Sequence, residues 1–257
     1  MGWDLVRHSF VLLFNNFGDA LKVSVGPFLI LIALVFAVTA MFGVSFGQLV
    51  PGMGDPTQVS PEAAGGVFLA VLVVLVATLF VFSWVAVSWH RYVLLEEYPG
   101  LLPALSGRPI GAYIGRSLLL ALILILLALP VGIILGIFAG LMLSSMVAFV
   151  IINAVLGTLF GWVWLRLAIV LPGTALGKPI PIGEAWRTSG RMSGAIMQAA
   201  FILVVLNLLT GLVFGTALGG NIIGDILNLI VTWVTMMVGI SMLTTLYGHL
   251  IEGRALN

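Results

Sequence analysis

Cysteine is absent from the 257 residues, which removes disulfides, thiol nucleophiles and thiolate metal sites and leaves the redox compartment open. Charge is nearly as scarce. Lys and Arg number ten and Asp and Glu nine, 7% of the chain together, where soluble proteins carry roughly a quarter. The net charge of +1 gives nucleic acid nothing to bind. Neither Asp, Glu, Lys, Arg nor His stands near the middle of any long apolar run. Ionisable groups inside a membrane are expensive to bury and usually mark proton relays, so their absence weighs against an ion-coupled transporter.

What the chain does have is hydrocarbon: 61% hydrophobic residues, gathered into runs of about 20 that match a ~30 Å apolar slab. Six transmembrane helices are expected, over about 23–46, 67–89, 117–139, 146–166, 195–215 and 226–247. The third and fourth are divided at Gly140 to Ser145, because one helix of their joint length would overrun a bilayer. All ten basic residues fall in the N-terminal segment, alternate connections and the C-terminal segment. The remaining connections hold only Asp55, Glu62 and Asp225, or no charge. By the positive-inside rule both termini are expected in the cytoplasm. No signal peptide is expected, since Asp4 and Asp19 interrupt the basic residues, the first run is long and no A-x-A site follows. Val6 stands where myristoylation needs Ser or Thr.

Two domains follow, an interfacial amphipathic segment over 1–22 and a six-span helical domain over 23–257. In the first, Trp3, Val6, Phe10, Leu13, Phe14, Phe17 and Leu21 recur at helical spacing, between Asp4, Arg7, His8, Asn15, Asp19 and Lys22. That pattern predicts a helix lying in the membrane interface with its apolar side down. Glu184 to Arg191 predicts a similar elbow. Within the second domain, a 75-residue offset lays Trp89-His90-Arg91 on Trp164-Leu165-Arg166 and Gly115-Arg116 on Gly190-Arg191. It also lays Gly136 and Gly140 on Gly211 and Gly215. Gly107-Arg108-Pro109-Ile110 resembles Gly177-Lys178-Pro179-Ile180. The chain therefore reads as three tandem hairpins, about 23–91, 116–166 and 191–249, sharing one orientation.

Glycines at four-residue spacing make flat strips where helices approach closely: Gly43 and Gly47, Gly132, Gly136 and Gly140, Gly157 and Gly161, and Gly211, Gly215 and Gly219. They are expected to pack helices within the chain or between copies. Pro130 is expected to kink the third span. Asn153 and Asn207 are candidates for an intramembrane polar contact, either an interhelical hydrogen bond of ~0.6 kcal/mol or the lining of a pocket. Trp89, Arg91, Arg116, Trp164, Arg166, Arg187, Arg191 and Tyr247, with His90 and His249 beside them, are expected as anchors at the cytoplasmic interface.

Enzymatic motifs fail on inspection. Gly43-Val44-Ser45-Phe46-Gly47 spells G-x-S-x-G, but at the end of a membrane span rather than on a strand–turn–helix elbow, with every His expected on the opposite side. The three His have no metal-ligand spacing. Glu96-Glu97 opens the EExxxR signature of intramembrane CAAX-type proteases, but Leu101 occupies the Arg position.

The segment from Arg166 to Arg191 carries an Arg at the end of a span, the Leu171-Pro172 step, and Glu184-Ala185 followed by Ser189. It resembles the middle of a loose group of bacterial multi-span proteins, the YciC-like proteins and the membrane domain attached to some glycerophosphoryl diester phosphodiesterases. Trp89 to Glu96 and Leu246 to Leu250 share that likeness. The resemblance implies a helical protein of the bacterial inner membrane and assigns no activity; the phosphodiesterase catalytic domain has no room here. The expectation is a non-catalytic, structural, accessory or lipid-interacting membrane protein without cofactor, contacting lipids and, through its glycine strips, a protein partner or a second copy. The alternative is a transporter or channel for a small or lipid-like solute.

Overall fold

The computed structural model describes residues 1–49, 61–100, 102–142, 145–213 and 222–256, with backbone alone at 61–63, 136–142, 146 and 222. All regular structure among them is helical. In order these are α1 (Gly2–Asn15), α2 (Phe17–Phe42), α3 (Phe46–Leu49), α4 (Pro61–Leu95), α5 (Ile110–Met142), α6 (Met146–Leu167), α7 (Val170–Ala175), α8 (Ile182–Ser189), a 3-10 turn (Gly190–Met192), α9 (Ser193–Leu212) and α10 (Ile222–Leu250). Six helices are long and apolar enough to cross a membrane, and little of each is buried within the chain. An apolar exterior is unfavourable in water and natural in lipid. The chain is a multi-pass membrane protein.

The helices pack in a definite order. α2 lies along α4, α4 touches α5 and α10, and α6 lies along α9. α1 fills the gap that remains, packed against both α9 and α10. The interfacial reading of 1–22 expected this helix to lie apolar side down on the membrane. Leu5, Val6, Ser9 and Leu13 are buried against the bundle, while Trp3 and Phe14, with Phe17 at the start of α2, are exposed. Two small residues let the helix approach its neighbours closely. The Gly2 amide donates to Gln198 Oε1 at 3.1 Å, and a Cβ on Gly2 would stand 2.5 Å from that oxygen. Ser9 is equally small and lies 3.6 Å from Met242 Sδ. Leu5, Val6, Ser9 and Leu13 form the inward stripe, and Phe10 packs half-buried beside them.

α5 runs through Pro130 and α2 through Pro27 as single helices. The string around Ser45 is a helix stop: Gly43 takes φ +64° after α2, and the Val44 amide donates to Thr39 O at 3.2 Å.

Candidate functional site: an intramembrane cavity above an arginine-tied floor

The basic residues converge at one end of the bundle, where they bond main-chain carbonyls as well as carboxylates. Arg91 donates to Ala175 O at 2.9 Å and forms two bonds with the Glu97 carboxylate, which Arg108 also reaches. Arg116 donates to Ile180 O at 2.7 Å. Arg254 donates to Leu94 O at 2.9 Å and Val93 O at 3.3 Å. Arg166 donates to Trp186 O at 2.7 Å and Ser189 Oγ at 3.1 Å. Helix ends leave carbonyls without intrahelical partners, and a guanidinium near a helix C-terminus satisfies them with favourable charge. Hydrogen bonds from Arg91 and then Arg108 hold the Glu97 carboxyl below its ordinary 4.5, despite partial burial. Arg187 and Arg191 are exposed at the same end.

Beneath this layer the short α7 is buried along its whole length. A Cβ on Gly173 would meet Lys178 O at 2.8 Å and the Tyr247 ring at 3.1 Å, so only glycine fits there. Gly107 and Gly177 share positive φ of +71° and +75°. Glu96 holds the same left-handed backbone at φ +56°, after the end of α4.

Trp89 and Tyr247 belong to the interior of the bundle, contrary to their expected place on its rim. Trp89 is fully buried and its indole N–H donates to Ser241 Oγ at 3.0 Å; Tyr247 is 2% exposed. Trp164 is half-buried. His90 was read as an interfacial neighbour and is completely buried instead. Its Nδ1 lies 2.8 Å from Thr244 Oγ1 and its Nε2 3.3 Å from Tyr113 Oη. Thr244 spends its one hydroxyl proton on Ile240 O at 2.9 Å. Thr244 therefore accepts from Nδ1–H, and Tyr113 O–H donates to Nε2. The directed chain binds α5, α4 and α10 together.

Further from the basic end, α4, α5, α6, α9 and α10 line an open-sided cavity of about 680 Å³, with Asn153, Asn207 and Thr235 exposed. α4 contributes Phe82 and Ser83, α5 Ser117, α6 Asn153 and Gly157, α9 Asn207, and α10 Thr235 and Gly239. Most of the lining is apolar. Asn153 and Asn207 share the cavity, though no hydrogen bond joins them: Asn153 Nδ2 donates to Phe149 O at 2.8 Å in its own helix. Gly157 and Gly161 lie against Val204 and Ala200 of α9, at 3.3 and 3.5 Å from a built Cβ. Gly43, Gly132 and Gly211 have open space where a Cβ would stand. Gly47 follows α2 in the short α3. Gly136 and Gly140 continue the α5 backbone, and Gly215 and Gly219 lie outside the described residues. Among the described residues no three His, Asp or Glu gather into a metal-binding group.

Comparison with protein-family models, with curated proteins and with solved structures finds no match.

Proposed function

We propose that this chain is a non-catalytic protein of the bacterial inner membrane that holds a lipid-like molecule within its six-span bundle. The cavity of about 680 Å³ carries the reading, because its size falls in the range of small-molecule sites and its apolar lining with a few polar groups has the usual composition of one. Both termini lie in the cytoplasm in this reading, since the clustered arginines mark the cytoplasmic side. The likeness to the YciC-like group and the three-hairpin order belong to the same proposal.

Gly239 supplies the test. It lines the cavity and nothing stands within 4 Å of a Cβ built on it, so Gly239→Phe fills the space without a backbone clash. The wild-type protein, purified in native-lipid nanodiscs, carries one lipid-like species at fixed stoichiometry by mass spectrometry, and the variant folds but loses it. Equal retention by both proteins, or no retained species in the wild type, refutes the reading.

A solute path is the second reading, supported by Asn153 and Asn207 lining the same space. Single cysteines at these positions in the Cys-free chain label from water only if that path exists.

A further inference from the structure

Several hydroxyls of the helices are satisfied within their own helix. Ser9, Ser24, Ser88 and Thr158 each donate to the carbonyl four residues back, at 2.7 to 2.8 Å. This is the ordinary way a helix in lipid hides a hydroxyl. Ser83, Thr235 and Asn207 line the cavity and have no hydrogen bond to any described residue. Ser83 is the most enclosed member, at 3% exposed, while Asn207 and Thr235 are exposed; the buried polar atoms left without a partner among the described residues are Trp84 Nε1 and Thr245 Oγ1. Ser83, Asn207 and Thr235 also share a level. With Asn153, they stand roughly 12 to 15 residues from the basic ends of α4, α6, α9 and α10. At 1.5 Å per residue that is about 18–22 Å along each helix, well inside an apolar slab of ~30 Å. No Asp, Glu, Lys, Arg or His lines the cavity.

Resting on the cavity reading above, we infer that the bound molecule is an uncharged amphiphile whose hydroxyl-type polar group pairs with Ser83, Asn207 and Thr235 at mid-membrane depth. Hydroxyl and amide side chains both donate and accept, so they match a neutral group that does the same. A carboxylate or ammonium would meet no counter-charge there, and burying it unpaired is prohibitive. A pure hydrocarbon would leave the three side chains unpaired.

Hexadecanol, hexadecane and palmitate separate these cases, since they share a chain and differ at its end. Binding to the full-length protein in nanodiscs is read by native mass spectrometry at matched membrane concentrations. Hexadecanol is expected to bind at least about fivefold better than hexadecane, as one or two net hydrogen bonds would give, and better than palmitate. The double variant Ser83→Ala/Asn207→Leu erases the preference over hexadecane and still binds hexadecane. It also unfolds at the same temperature as the wild type or higher, because it removes unpaired polar groups. Equal binding of alcohol and alkane, preference for palmitate, or an undiminished preference in the double variant overturns the inference and leaves the cavity reading standing. Failure of all three to bind, with Gly239→Phe behaving like the wild type, overturns both.

Discussion

Arg166 stacks on Trp186 while bonding that residue's own carbonyl. The guanidinium carbon lies 3.5 Å from the indole centroid, and Nη2 donates to Trp186 O at 2.7 Å. Trp162 lies beside the stack, 4.9 Å from the same carbon and edge-on to Trp186. One residue thus locks the end of α6 to α8. Arg166→Lys keeps the charge that orients the chain but loses the planar stack and the fork of donors. It is expected to lower stability by about 1–2 kcal/mol, read as a fall in melting temperature in detergent. Topology reporters on the same variant should give wild-type orientation, which separates packing from sorting.

The ion cluster of Arg91, Glu97 and Arg108 makes stability depend on pH. Glu97 binds its proton less readily in the folded chain than at its ordinary 4.5, because Arg91 and Arg108 bond the ionised form. For a carboxyl lowered on folding, the contribution is complete above the unfolded value and is lost as pH falls through the folded one. Melting temperature followed downward from pH 6 should therefore decline below about 4.5 more steeply in the wild type than in Glu97→Gln. Parallel curves would mean that the cluster adds nothing to folding.

The six spans were legible because span length and apolar content are local properties of sequence. The interior was not. A membrane helix such as α5 is apolar all round, so periodicity gives no sign of which face turns inward. Trp89 and His90 look like rim residues from their place beside Arg91, and only the crossing of α4 with α10 puts them in the core. Asn153 and Asn207 were visible as rare polar residues, and their shared cavity follows from the pairing of α6 with α9. Thr235 was visible only as one of several weaker polar groups and Ser83 gave no signal, because a hydroxyl in a membrane helix is usually satisfied by its own backbone.

Glycines offer a contrast between two positions. Gly173→Ala drives a Cβ to 2.8 Å from Lys178 O and 3.1 Å from the Tyr247 ring, and the first of these is backbone that has no easy retreat. Its loss of stability is expected at about 1–3 kcal/mol, the range for overpacking a core. Gly132→Ala and Gly211→Ala meet nothing within 4 Å and should leave the monomer's melting temperature unchanged or slightly raised. A bulkier change at these two sites, to Leu, then asks about neighbours. A loss of oligomer with an intact monomer would mark an interface between copies, and an unchanged mass in light scattering would place both glycines against lipid.

Tyr113 tests the buried chain through His90. The order of donors makes His90 a neutral ring protonated on Nδ1, with Nε2 accepting from Tyr113. Nitrogen NMR of the labelled protein should show that tautomer, the less common one for a free imidazole. Tyr113→Phe removes the donor and leaves Nε2 buried with an unused lone pair, at a cost of about 1–3 kcal/mol. His90→Phe in the same background discards the stranded nitrogen, so the double variant should be less destabilised than the sum of the two single changes. Additive losses would mean that the 3.3 Å contact between Tyr113 and His90 carries no energy, and that α4 and α5 are joined at this level by apolar packing alone.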